Sequence, residues 1–164
     1  MRKTLETISL AILAGTAWIT WQALHGSNLL PERIPTHFNS AGNPDGWGPA
    51  STLLVLPAVA VGLYLFISLL SLFPALFKTP VRVTEENRVR LQALNLQMVA
   101  WLKLELVCLF AWIQWTILQF ARQGHGRLTP AFMVIFLAAV LVTALWHILA
   151  MARAAQPVHS VQPE

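Results

Sequence analysis

The stretch RIPTHFNSAGNPDGWG, residues 33–48, sets an imidazole, an amide and a carboxylate close together on one short polar segment: His37, Asn39 and Asp45. Imidazole and carboxylate are the usual donors to a divalent metal. His25 and His125 fall at the same end of the apolar segments and extend the set. The spacing matches no established metal motif such as His-Glu-x-x-His. His25, His37, Asp45 and His125 are therefore weak candidates, and neither a metal nor another cofactor is expected. The plainest reading is that His37 and Asn39 cap backbone groups while Asp45 closes a turn through its side chain. Recognition of a ligand or peptide is the second reading, and metal-dependent catalysis the third.

A second group lies inside apolar sequence. Lys103 and Glu105 fall in the third apolar run and His147 in the fourth. Ionisable side chains at such positions are expensive and are functional candidates by default. Two residues apart on a helix, Lys103 and Glu105 differ by about 200°, so they face different neighbours. The length of the lysine side chain lets it snorkel to a headgroup layer. Glu105 is expected to face the bundle interior and to pair with His147 or with a hydroxyl such as Tyr64, Ser68 or Thr143. Cys108, the single cysteine, reads as a small buried hydrophobe and offers no disulfide framework.

These groups need elements to hold them. Hydrophobic residues make up 56% of the 164 residues and charged ones only 11%, against about a quarter in soluble domains. That much apolar surface calls for a bilayer. The sequence therefore predicts an all-α integral membrane protein: four transmembrane helices, about 4–25, 52–77, 84–122 and 129–153, with an ordered outer loop, 26–51, between helices one and two. Residues 1–153 form one transmembrane domain, and 154–164 read as a disordered tail. Pro130 after Thr129 marks the start of the fourth helix, and Thr84-Glu85-Glu86 the start of the third. Arg2, Lys3, Lys78, Arg82, Arg88, Arg90 and Arg153 outnumber Arg33, Arg122 and Arg127, which puts both termini in the cytoplasm and the protein in the inner (cytoplasmic) membrane. The cations flank apolar runs and form no aromatic-interleaved patch, so no nucleic-acid partner is expected.

A connection as long as 26–51 is uncommon unless it has a job. Pro35 pushes Ile34 towards extended backbone, and Asn43-Pro44-Asp45-Gly46 has the chemistry of a tight turn. Phe38 and Trp47 would anchor the loop on the helix ends.

From Leu30 to Gly48 the pattern Leu-Pro-x-x-Ile-Pro-Thr-His-Phe-Asn-x-x-Gly-x-Pro-Asp-x-Trp-Gly resembles the signature between the first two helices of SdpI-like bacterial membrane proteins. The resemblance implies a small binding, immunity or signalling module. Such a module would recognise a peptide, lipid or protein partner through its outer loop, with His37, Phe38, Asn39, Asp45 and Trp47 as the characteristic element. Membrane lipid is an expected partner, and the start of the third helix, residues 84–95, could dock a cytoplasmic protein. Two further readings stay open: an accessory structural subunit of a larger membrane complex, and a membrane enzyme or transporter using the outer-face histidines and Glu105. With no nucleophile–base pair in the sequence, the enzyme is the least favoured.

Overall fold

Along the first apolar run the residues Leu5, Ser9, Leu13, Thr16, Thr20 and Ala23 recur every three or four positions. They form one stripe of a helix, and most of them are small. Without water, helices associate by close packing and shared polar contacts, which small residues permit. In the computed structural model, which describes residues 1–26, 30–73, 76, 79–124 and 128–156, this stripe is the buried face of α1 (Arg2–His25). Ser9, Thr16 and Thr20 each turn their hydroxyl back to the carbonyl four residues earlier, so no donor is stranded in the apolar interior.

After α1 come β1 (Arg33–Phe38) and β2 (Pro44–Pro49), an antiparallel hairpin. A 3-10 turn (Ala50–Leu54) leads into α2 (Val55–Leu70), then α3 (Arg88–Gln123) and α4 (Pro130–Ala154). Four helices among the described residues are long and apolar enough to cross a membrane. The protein is thus a mostly helical, multi-pass membrane protein with one small sheet.

The hub is α3, which packs against α1, α2, α4 and β1. Its buried residues Leu91, Asn95, Val99, Lys103, Val107, Gln114, Leu118 and Ala121 again follow helical spacing. Three apolar clusters stack along it. Ala23, Ile34, Leu53, Ile117, Leu118 and Ala121 lie at the hairpin end, Leu13, Ala60, Tyr64 and Val107 in the middle, and Leu91, Met151 and Ala154 at the far end. Only 6% of the apolar window of α4 is buried inside the protein, so nearly all of this helix is left for lipid.

Two helix boundaries, the hairpin turn and one side chain differ from the sequence expectation. Pro44, Asp45 and Gly46, expected in a turn, lie in β2, and the turn is Asn39–Asn43, closed by the Asn39 side chain. The second helix ends at Leu70, short of 77. A proline at 74 has no N–H to continue the helical ladder, and the Leu70 carbonyl accepts from the Phe73 N–H at 3.0 Å instead. The third helix begins at Arg88 and not at Thr84, because the Asn87 side chain accepts the Thr84 N–H at 2.8 Å and donates to the Arg82 carbonyl at 3.1 Å, holding 82–87 as a turn. Its first turns pack on α4, with Leu91 buried against Met151 and Ala154. Cys108 is exposed on the apolar surface and not in the core. The expected tail falls almost wholly outside the described residues, since α4 runs to Ala154.

The hairpin is fastened by a glycine. Gly42 has φ +79° and lies so close to the turn between α3 and α4 that an added Cβ would sit 1.7 Å from the Leu128 carbonyl oxygen. In the same contact the Leu128 N–H donates to the Gly42 carbonyl at 2.9 Å. Gly42→Ala is expected to cost about 2 kcal/mol or more, from the left-handed backbone penalty plus the loss of this contact. Gly15→Ala, in mid-α1 with open space around its Cβ, should be neutral or stabilising by roughly 0.5–1 kcal/mol. Unfolding of the two variants in detergent checks both signs.

Candidate functional site

The polar side chains of the hairpin divide into those that build it and those it displays. Asn39 builds: its Oδ1 accepts from the backbone N–H groups of Ala41 and Asn43, both at 3.0 Å, and so closes the turn. Phe38 is half-buried against the apolar cluster at the hairpin end. Trp47 stays largely exposed, with its ring edge-to-face on Phe120 of α3 at 5.5 Å between centroids. Its carbonyl accepts from the Arg33 guanidinium at 3.0 Å. Gly48 leaves room for the methyl groups of Thr36 and Thr52, the nearer of which would be 2.8 Å from an added Cβ.

What the hairpin displays is His37 and Asp45. They sit on adjacent strands, with Nδ1 of the histidine 2.5 Å from Oδ1 of the carboxylate. The oxygen of an ionised carboxylate can only accept, so Nδ1 carries the proton and Nε2 is left over for another partner. The side chains are 71% and 43% exposed. A pair that exposed contributes only about 0–1 kcal/mol to stability. His25 is elsewhere, stacked on Trp21 with ring centroids 3.9 Å apart. His125 lies outside the described residues. Among the described residues no three His, Cys, Asp or Glu side chains converge as a metal shell would require.

Beneath the hairpin is a cavity of about 460 Å³. Residues 34–38 of β1 form one wall, Thr52, Leu53, Val55 and Leu56 another, and Ile113 and Ile117 of α3 the floor. Consecutive residues of a strand point to opposite faces, and no residue of β2 lines the space. The cavity therefore runs along the edge of β1 that β2 leaves unpaired. Leu53 and Ile117 belong to the buried cluster, so the floor is fixed by the core.

Deeper in the bundle the two ionisable residues of α3 separate completely. Lys103 does not snorkel. It is 2% exposed, and its Nζ donates to both oxygens of Glu6 at 2.6 and 2.7 Å and to Ser68 Oγ at 3.0 Å. Tyr64 donates its hydroxyl to Glu6 at 2.6 Å, and the ammonium stands 4.6 Å from the Tyr64 ring centre. Glu6 was not singled out in the sequence, where its place near the start of the first run made it look like flanking polarity. The available signal was that it is the one acidic residue in that run. Gln114 was missed as well. Fully buried, it donates from Nε2 to Thr20 Oγ1 at 2.8 Å and to the Leu53 carbonyl at 3.0 Å, tying α1 and the entrance of α2 to α3.

Glu105 turns to α4, where Thr143 donates to its Oε1 at 2.5 Å. His147, on α4 and 1% exposed, gives its Nδ1 proton to the Thr143 carbonyl at 2.8 Å. Glu105 Oε2 and His147 Nε2 are buried and have no partner among the described residues. Tyr64 and Ser68 serve Glu6 and Lys103, not Glu105.

One comparison with known proteins falls on the hairpin and its flanks. Residues 10–61 match a domain of unknown function (DUF1648). That span runs from α1 through the hairpin into α2, and leaves α3 and α4 outside it. A 30-residue segment is 57% identical to an uncharacterized protein of Archaeoglobus fulgidus, covering 18% of this chain and 16% of that protein. The similarity thus spans a small part of either chain. No solved structure matches.

The ion pair gives a direct test. Lys103→Met or Glu6→Gln alone strands a buried polar partner and should cost roughly 3–5 kcal/mol. The double variant Glu6→Gln/Lys103→Met should recover much of that loss. Unfolding of all four forms in one detergent gives the coupling; additive losses would mean that the pair is not one unit.

Proposed function

We propose that this is a small membrane binding module of the immunity or signalling kind that its SdpI-like loop implies, and that it receives an extended apolar segment of a peptide along the free edge of β1. The observation that carries this reading is the cavity itself. A preformed apolar space of this size borders a strand edge whose backbone groups make no hydrogen bond to any other described element. Peptides bind such edges by adding a strand, with main-chain bonds supplying affinity and flanking pockets selecting side chains. Leu53, Leu56, Ile113 and Ile117 would take an apolar side chain, while His37 and Thr36 meet the incoming backbone. His37 and Asp45 hold a geometry that contributes little to folding, which fits a role in recognition. The excess of lysine and arginine at the opposite end supports a hairpin facing outward from the cytoplasmic membrane, where a secreted peptide would arrive.

The test uses cells lacking the gene, challenged with secreted antimicrobial peptides from neighbouring bacteria. The intact gene should restore survival. Val55→Trp, at an exposed position on the cavity wall, should weaken protection by more than about tenfold while leaving unfolding unchanged. Val89→Trp, at a still more exposed position at the start of α3, should protect like the wild type. Protection that survives Val55→Trp would remove the cavity from the mechanism.

A further inference from the structure

At the far end of the bundle from the hairpin, α3 and α4 each send an arginine to the same place. Arg90 and Arg153 flank a cavity of about 280 Å³ whose other walls are Leu94, Trp146, Leu149 and Ala150. Two guanidinium groups brought to one small space repel each other unless an anion lies between them. Among the described residues no carboxylate lines the cavity. Among the described residues neither arginine makes an ion pair or a side-chain hydrogen bond, and the nearby Glu85 is engaged by Arg88 at 3.6 Å. Arg90 and Arg153 are both exposed, so the site is open to a ligand from outside.

We propose that Arg90 and Arg153 form a binding site for the phosphodiester headgroup of an anionic phospholipid. Guanidinium forks match phosphate oxygens in pairs, which makes arginine suited to this group. The space is near the lower limit of small-ligand pockets, about 300 Å³, so it admits a headgroup and not a whole lipid. The chains have somewhere to go: Leu141, Leu145 and Leu149 present a row of exposed apolar side chains along α4. Trp146, half exposed at the cavity wall, is the residue type that marks the headgroup layer. Basic pockets between membrane helices bind anionic headgroups on this physical basis. A free phosphate would satisfy the arginines equally, but it would leave the apolar wall and the leucine row unused. The site is separate from the hairpin cavity and does not depend on what that cavity binds.

The experiment uses the full chain in neutral detergent, titrated separately with phosphatidylglycerol, phosphatidylcholine and inorganic phosphate. Thermal unfolding and retained lipid by native mass spectrometry are the readouts. Phosphatidylglycerol should raise the unfolding midpoint and stay bound, and phosphatidylcholine should do so far less. R90Q/R153Q should weaken phosphatidylglycerol binding by about tenfold or more, whereas R82Q should leave it unchanged. Because both arginines are exposed, the double variant should unfold like the wild type when no lipid is added. Equal retention of the two lipids, or undiminished phosphatidylglycerol binding by R90Q/R153Q, would overturn the proposal. The same midpoint shift with millimolar inorganic phosphate would reassign the site to a soluble anion and equally overturn the lipid assignment.

Discussion

A lysine ammonium in the interior of a membrane bundle has no water to turn to, and in this protein everything near it is arranged around that need. Glu6 meets Lys103 with both carboxylate oxygens, Tyr64 supplies a further donor to the carboxylate, and Ser68 accepts from the ammonium. The four residues come from three helices. Sliding any one of these helices by a turn, about 5.4 Å, would break the set. Replacing such a pair with apolar residues is often tolerated or even stabilising, so its value lies less in net stability than in excluding other registers. That is how a polar cluster fixes α1, α2 and α3 relative to one another in a medium that gives apolar faces little reason to prefer one partner.

Gln114 performs the same service three turns further along α3. Its contact with the Leu53 carbonyl is informative, because that carbonyl belongs to the irregular entrance of α2, where a backbone acceptor would otherwise face apolar surroundings. The two polar layers lie on one stripe of α3 and bracket the middle apolar cluster. The hairpin then rests on a support whose helices cannot easily slide. Ile34 is buried in the last cluster, Trp47 leans on Phe120, and the Gly42 tip is bonded to Leu128 beyond the end of α3. Three separate fastenings along a sixteen-residue loop, 33–48, hold a strand edge and a cavity in fixed positions.

Much of this architecture was legible because its causes are local. Apolar run lengths give the four spans. Pro35 gives the extended strand, and helical spacing separates Lys103 from Glu105. The turn expected at Asn43–Gly46 falls at Asn39–Asn43 instead, because the Asn39 side chain closes it and Pro44, Asp45 and Gly46 belong to β2. The unread parts depend on distance. Glu6 and Lys103 are 97 positions apart, and no periodicity connects them. Without that partner in view, the best available explanation for Lys103 was snorkelling. The roles within the loop were equally hidden. His37, Asn39 and Asp45 looked like one chemical set, yet Asn39 serves the backbone, and the other two meet only because the strands pair. Gly42 was only a position in the resembled pattern, whereas the approach of Leu128 is what excludes a side chain there. The early end of α2 was readable in principle, from the missing donor at Pro74.

The two faces of α3 carry different kinds of contact, and that difference bears on what the bundle can do. Towards α1 and α2 the Glu6–Lys103 cluster is fully hydrogen-bonded, and Gln114 uses its Nε2 while its Oε1 has no partner among the described residues. Towards α4, Glu105 and His147 each keep a buried atom without a partner, and α4 itself is almost entirely open to lipid. The stacking of Trp112 on Phe132 and the Leu91–Met151–Ala154 cluster hold α4 to α3, but among the described residues α4 has no second helix to hold it as α1 and α2 hold each other. The hydrogen-bonded set of Glu6, Tyr64, Ser68 and Lys103 resists a shift of the helices on the other side. Any conformational response of this protein is therefore expected to be a movement of α4 against a rigid α1–α2–α3 unit. Such a movement would reach the hairpin through one structural link, because Leu128, which holds the Gly42 tip, sits two residues before α4 begins.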